Sequence, residues 1–315
     1  MQMSVPVKEL LEESLAEYLG LELVAGEKGL SREITTPRIQ KPGLLLTGVL
    51  EEEFHPDRIQ IFGAAEVGYI NNCCRENPKK ELWILEGRVF PAIVVTRGLT
   101  PPEMLLKICR ERDIPLLVSR FSSSVLIDRI IKFLEERLAP STTLHGVLLD
   151  VLGVGVLIIG KSGIGKSECA LELVARGYRL VSDDIVIVKK MPPDVLFGTS
   201  SDIIRFHMEI RGIGIVNIRD LYGITAIREK KQMDVVVELV QWDAASEYER
   251  LGFEDNTYDI LGVGLPYLKI PVSPGRSVAT IVEVAARNQI LKLTGHNSAK
   301  NLEVTLNKAM QGNKR

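Results

Sequence analysis

The stretch Val154-Gly155-Val156-Leu157-Ile158-Ile159-Gly160-Lys161-Ser162-Gly163-Ile164-Gly165-Lys166-Ser167 decides the fold of the second half of the chain. Its last eight residues match the phosphate-loop pattern Gly-x-x-x-x-Gly-Lys-Ser in full. By average composition such a match arises by chance in a chain this long only about 1% of the time, so the context decides its meaning. That context is right: an apolar run, 154–159, reads as a strand before it, and 167–176 reads as a helix after it. Glycines let the backbone wrap so that successive N–H groups face phosphate oxygens. The helix N-terminus adds a partial positive charge. Lys166 is placed to reach the outer phosphates, and the Ser167 hydroxyl to ligate magnesium.

Working outward, 147–149 reads as a strand that pairs with 154–159 as a hairpin. A strand over 179–182 runs into Asp183-Asp184 and is followed by 185–188. A strand pair brackets 210–218, a strand covers 234–240, and helices cover 278–293 and the charged end 299–310. In the first half, Leu10, Leu11, Leu15 and Tyr18 stand at helical spacing and predict a helix over 7–19. Strands over 93–95 and 115–118 flank a helix starting near Pro102, and Ser122, Ser123 and Ser124 cap a helix running to about 138. Strands alternating with helices make residues 1–135 an α/β domain. Pro, Ser and Thr cluster in Leu138-Ala139-Pro140-Ser141-Thr142-Thr143, which places a linker over 136–143 and a phosphate-loop domain over 144–315.

The whole is 315 residues, enough for two domains that each bury a core. Apolar residues are 45% and charged residues 25%, which excludes a disordered chain. Lys and Arg number 39 against 41 Asp and Glu, a net charge of −2 that argues against a generic nucleic-acid binder. Mean hydropathy is +0.11, yet the longest apolar run, near 146–160, is interrupted by Asp150. No run reaches the roughly 20 apolar residues of a spanning helix. Lys8 and Glu9 spoil a signal peptide, so the chain reads as cytosolic, without a membrane partner. Cys73, Cys74, Cys109 and Cys169 form no Cys-x-x-Cys pair and read as reduced thiols. His55, His145, His207 and His296 make no His-Glu-x-x-His metal helix.

A phosphate loop does not say what is done with the phosphate. Asn307-Lys308 lacks the Asp of a guanine-recognition motif, and the transporter-ATPase signature is missing. Asp183 and Asp184 follow a strand 17 and 18 residues beyond Lys166, where a magnesium-holding Asp belongs. Two adjacent carboxylates allow a division of labour: one holds metal, and the other takes a proton from an attacking hydroxyl. The residues alone do not assign those roles between the two, and an Asp-rich turn is the plain alternative. His145 lies near a strand start, where a structural histidine is the commoner case. Glu209 and Arg211, beside Gly212 and Gly214, offer charge for metal and phosphate or simply decorate a surface hairpin. Arg250 in a polar run reads as a surface arginine. Pro271-Val272-Ser273-Pro274-Gly275-Arg276 is a stiff loop that delivers a cation to phosphate or merely connects.

Taken in order, these segments resemble the HPr kinase/phosphorylase family. The match is carried by His145-Gly146 before the Gly-Val-Gly-Val-Leu-Ile-Ile strand and by the phosphate loop with its continuation to Arg-Gly-Tyr-Arg-Leu-Val-Ser-Asp-Asp. It continues through Glu209-Ile210-Arg211-Gly212-Ile213-Gly214-Ile215-Val216-Asn217 and 271–276. It spans about 144–295 and is weaker in the first half, which is similar to part of cell-wall ligases. The resemblance implies an N-terminal α/β domain and a C-terminal kinase domain similar to the phosphoenolpyruvate carboxykinase core. It implies ATP on residues 160–167, magnesium on Ser167 and Glu209 with Asp183 beside them, and catalysis by His145, Lys166, Asp184 and Arg250. Asp184 is then the base toward the target serine and the acid in the reverse reaction, unless Asp183 and Asp184 exchange roles. The segment from Met208 to Asn217 would serve both activities, and 271–276 dephosphorylation. The implied reaction is phosphorylation of a serine of the phosphocarrier HPr from ATP or pyrophosphate. Its reversal is by inorganic phosphate with release of pyrophosphate, by a homohexamer acting in control of carbon metabolism. Lys161 stands where relatives often carry an acid, and Tyr178 and Ser182 depart from the expected His and Ala. A metabolite kinase and a non-enzymatic nucleotide sensor are the rival readings.

Overall fold

Strand Val154–Gly160 is the spine of the second half, and its neighbours explain why it is almost wholly apolar. It pairs antiparallel with Val147–Val151 and parallel with Val235–Gln241, which pairs parallel with Val263–Val272. Arg179–Ser182 and Thr257–Ile260 complete a six-stranded sheet at its two edges. The computed structural model describes residues 3–47, 51–76, 88, 90–243, 256–273, 275–296 and 300–302. The chain divides into two compact units, Met1–Ala139 and Pro140–Arg315.

In the second unit three layers stack. Helices Lys166–Ala175 and Val278–Leu293 cover one face of the sheet, burying Ala170, Leu173, Val282 and Ala286 against Val156, Ile158 and Val237. The opposite face, with Leu148, Leu157 and Val236, packs on a four-stranded sheet through Val186, Val188 and Leu196. A strand buried on both faces cannot alternate apolar with polar residues, which is why 154–159 reads as a continuous apolar run.

The first unit holds a five-stranded sheet in the order Leu21–Ala25, Leu116–Ser119, Ile93–Val95, Ile59–Phe62, Ile39–Gln40; all neighbours are parallel except the first pair. Alternation along the strands feeds two cores. Phe62, Ile93 and Val95 meet helices Ala64–Glu76 and Glu103–Glu111, while Ile59, Ile61 and Val94 meet helix Ser123–Arg137.

Three local expectations are corrected. The helix over 7–19 is two pieces, a 3-10 turn Val7–Leu11 and an α-helix Glu13–Leu19, separated by Glu12 in an extended conformation. The tighter first piece sets Val7 and Leu10 one turn apart on a single face, and both are buried. The stretch 136–143 is not a free linker: helix Ser123–Arg137 ends inside it and strand Ser141–His145 begins inside it. Thr142 and Thr143 are β-branched and pair with Val188 and Ile187 at a sheet edge, a position that tolerates the preceding Pro140. Ser122 occupies the N-cap of the 123–137 helix but makes no capping bond; its Oγ lies 3.2 Å from Ser124 Oγ instead. The helix expected over 299–310 lies outside the described residues apart from its start at 300–302.

Gly155 shows how closely the second-unit strands approach. A Cβ there would lie 1.8 Å from the backbone oxygen of Gln232, an atom with no freedom to move aside. Gly155→Ala is expected to cost about 3 kcal/mol, the upper end of overpacking penalties, read as a shifted urea midpoint of the full chain. An unchanged midpoint would contradict this packing.

Candidate functional site

The phosphate loop leaves the sheet where three parallel strands end together. Gly160 pairs with Leu239 and Leu239 with Ile270, so the segments after 160, 241 and 272 emerge along one edge. Gly160 has φ +146°, and a Cβ on it would meet Leu239 O at 2.5 Å. The first position of the loop therefore admits only glycine. Gly163, at φ +78°, has the Arg211 guanidinium against it; a Cβ would lie 2.7 Å from Nη2. Lys166 Nζ donates to the carbonyl oxygens of Gly160 at 3.0 Å and Lys161 at 3.1 Å, folding the lysine over the loop.

Asp183 lies beneath this loop. It is 5% exposed, and Ser167 Oγ donates to its Oδ1 at 3.0 Å and Oδ2 at 3.2 Å. The backbone N–H of Glu209 donates to Oδ2 at 3.3 Å. Burial pushes the Asp183 carboxyl above its ordinary value, and the bonds from Ser167 and Glu209 pull it back. Asp184, the next residue, turns away. Its φ of +62° is a left-handed conformation that Asp tolerates better than most side chains, and its carboxylate is 74% exposed. Strand Ser141–His145 pairs with Ile185–Met191 so that His145 faces Ile185, and Gly146 N–H donates to Asp184 O at 2.9 Å. This register brings His145 Nδ1 to 3.8 Å from Asp184 Oδ1.

Glu209 and Arg211 come from the hairpin of His207–Ile210 and Gly214–Asn217. Met208 and Ile210 are buried in the core, which turns Glu209 toward the phosphate loop; Asn217 caps the helix Ile218–Tyr222 that follows. Ser162, Gly163, Lys166, Ser167, Asp183, Asp184, Glu209 and Arg211 thus line one cleft of about 130 Å³. Glu168 lines it too; it sits in the first turn of the loop helix and carries no sequence signal beyond its place after Ser167. The cleft brings the cations Lys166 and Arg211 together with four acidic residues, Glu168, Asp183, Asp184 and Glu209, the mixture that can grip a polyphosphate and a hydroxyl together. Its hard oxygen donors, Ser167 Oγ and Asp183, suit magnesium. No set of three or more His, Cys, Asp or Glu among the described residues could hold a metal unaided, so phosphate oxygens and water would complete the shell.

Other expected site residues fall elsewhere. Pro271 and Val272 close a sheet strand, and Arg276 is exposed just before the last helix. None of the described residues of 271–276 lines the cleft. Arg250 and Pro274 lie outside the described residues. Sequence reasoning passed over Arg176, which joins the loop helix to the last helix. It pairs with Glu172 and, at 3.1 Å, with Glu283, and donates to Thr280 Oγ1 at 2.9 Å. Cys109 and Cys169 are free and buried, and burial pushes both thiols up to about 12, so neither is a nucleophile. Among the described residues no helix is long and apolar enough to cross a membrane.

A strand, a phosphate loop and a helix beside a carboxylate pair define a phosphoryl-transfer class of protein. The comparisons narrow it. Family models described as HPr Serine kinase N terminus and HPr Serine kinase C-terminal domain match residues 5–134 and 136–306. A relative named HPr kinase/phosphorylase from Geobacter sulfurreducens is 52% identical over 299 residues, covering 94% of this chain and 92% of that one. Another of the same name from Geobacillus kaustophilus is 42% identical over 298 residues, 94% and 95% of the two chains. A solved structure described as the Hpr(Ser) kinase/phosphatase from Coxiella burnetii is 31% identical with a TM-score of 0.46, covering 51% of this chain and 98% of that one. The chain belongs to the HPr serine kinase family, and is an enzyme of the kinase/phosphorylase type with two α/β domains.

The buried acid makes a measurable pair with stability. A carboxyl raised in the folded state favours folding most when protonated, so its contribution declines as pH rises through the raised value. Asp183→Asn should melt at or above the wild-type temperature at neutral pH, with the difference shrinking as pH falls through the carboxylate range. A variant melting lower at neutral pH, by the same margin in acid, would show that the charge is compensated.

Proposed function

We propose that the chain phosphorylates a specific serine of the phosphocarrier HPr from ATP or pyrophosphate, and reverses this by phosphorolysis. The observation that carries the reading is the split of Asp183 and Asp184 into one buried carboxylate under Ser167 and one exposed carboxylate beside His145. The exposed acid is the one a protein hydroxyl can reach.

In the forward direction the phosphate-loop N–H groups and Lys166 hold the donor's outer phosphates. Asp184 takes the serine proton as the serine oxygen bonds to phosphorus, and the bond to the leaving nucleoside diphosphate breaks. His145 stands beside the Asp184 carboxylate across the strand pair, its Nδ1 3.8 Å from Oδ1. Arg211 adds charge at the loop. In reverse, an oxygen of inorganic phosphate attacks the phosphoserine phosphorus. Asp184 returns its proton to the leaving serine oxygen, and pyrophosphate departs. One residue serves both directions by microscopic reversibility.

Ser167 and Asp183, with Glu209 near, would hold a magnesium ion, which would supply charge neutralisation at the transferring phosphate. Arg250 and the 271–276 loop are assigned to catalysis and to dephosphorylation by the family resemblance. That resemblance also carries a carboxykinase-like core, a homohexamer and a part in the control of carbon metabolism through the phosphotransferase system.

The test incubates the protein with its host's HPr, ATP and magnesium, weighs HPr by mass spectrometry, then adds inorganic phosphate. One phosphate gained on serine and lost with pyrophosphate release is expected. Asp184→Asn should lower both rates by about a thousandfold, within the range for a lost general base, while nucleotide binding stays near wild type. Retained transfer in a folded Asp184→Asn protein would overturn the assignment, and no phosphate on HPr would overturn the reading.

A further inference from the structure

The first unit has a crevice of its own, outside everything assigned above. Its four consecutive parallel strands end at one edge, and the chain leaving each contributes to a single cavity of about 360 Å³. Lys41 follows the strand Ile39–Gln40, Gly63 follows Ile59–Phe62, Arg97 comes after Ile93–Val95, and Ser122 and Ser123 come after Leu116–Ser119. The helices after the second and third of these strands pack on one face of the sheet, and the helix after the fourth, the third's neighbour, packs on the other. Where neighbouring connections depart to opposite faces, a crevice opens beyond the carboxyl ends of the strands, and open α/β sheets bind ligands there. The volume lies within the roughly 300–1,000 Å³ of small-molecule sites.

The lining has a definite chemistry. Arg97 is exposed, held at φ +63°, and pairs with no carboxylate among the described residues. Glu66 is 4% exposed; its Oε2 accepts the Gly63 N–H at 2.8 Å, while Oε1 is 3.8 Å from Lys41 Nζ, beyond hydrogen-bonding reach. Glu66 thereby closes the N-terminus of helix Ala64–Glu76 and leaves Oε1 in a long ion pair with Lys41, with no hydrogen-bond donor on it. The opposite helix is left open. Ser122 bonds Ser124, and Ser123 Oγ lies 2.8 Å from Thr96 Oγ1, so no hydroxyl caps the first N–H groups of the 15-residue helix Ser123–Arg137. Two cations and an uncapped helix terminus outweigh one carboxylate, and the carboxylate has room for one more donor.

We propose that this crevice binds a small phosphorylated metabolite that also carries a hydroxyl. Its phosphate sits among Arg97, Lys41 and the N–H groups of the 123–137 helix. Its hydroxyl donates to Glu66 Oε1. The site shares no residue with the phosphate loop, so it stands whether or not the chain acts on HPr.

The test titrates the full chain with glycerol 3-phosphate, which has both groups, by isothermal calorimetry. One equivalent is expected to bind the wild type and the Lys166→Ala variant alike. Binding should weaken at least about tenfold, or some 1.4 kcal/mol, in Arg97→Gln and in Lys41→Gln, with partial recovery in Arg97→Lys. Thermal melts matching the wild type establish that the variants are folded. No heat at about 10 mM ligand, the weak end of specific binding, overturns the proposal. So does binding that survives both Arg97→Gln and Lys41→Gln, or that disappears with Lys166→Ala.

Discussion

One buried carboxylate organises the second unit. Asp183 accepts from Ser167 at the head of the loop helix and from the backbone of Glu209 in the hairpin, while its own backbone ends the strand that lines the sheet edge. Three elements far apart in sequence are registered on one side chain. A charge with so little water around it is tolerated only because its oxygens are occupied by donors. The same donors fix where the loop helix begins, and so where the N–H groups of residues 160–167 stand.

The first unit obeys the same architectural logic with different consequences. Both sheets gather loops at the carboxyl ends of parallel strands. In the second unit the loop is glycine-rich and followed immediately by a helix, and the opening there is a narrow cleft of about 130 Å³. In the first unit the loops bring Lys41 and Arg97 around a wider opening. Glu66 satisfies one helix terminus there and leaves the other to solvent.

Much of this was legible in the sequence, for physical reasons that differ by element. The phosphate loop could be read because its backbone geometry permits few residue types: Gly160 is pressed against Leu239 O, and Gly163 against Arg211. The strands could be read over 147–149 and 154–159 because burial on both faces leaves no polar position there, whereas the buried Asp150 hid the end of the first, which runs on to Val151. The helix expected over 7–19 is two because Leu10 and Leu15 suit either one helix or two, both pieces pack into the same core as Ile34, and nothing in the local spacing marks the break at Glu12. The Pro-Ser-Thr cluster near 140 has the composition of a linker and also that of an edge strand, and only its partner strand decides between them. The acidic pair was visible as a pair. Its division into an inward and an outward carboxylate was not, because it follows from the left-handed φ of Asp184, which a sequence containing two adjacent Asp residues does not announce. Arg176 went unnoticed because its partners Thr280 and Glu283 lie over a hundred residues away.

Lys166 bonded to the Gly160 and Lys161 carbonyls has a consequence for how the cleft takes its ligand. The ammonium spans the loop from inside, so the loop's curvature is set by a contact made when the chain folds. Ordering the loop is then charged to folding, and a phosphate arriving there meets N–H groups already in place. Discrimination among donors shifts accordingly toward whatever lies past the outermost phosphate. Any two donors that end in the same phosphate would present the same end to the same cradle, and the cradle itself has no means of telling them apart.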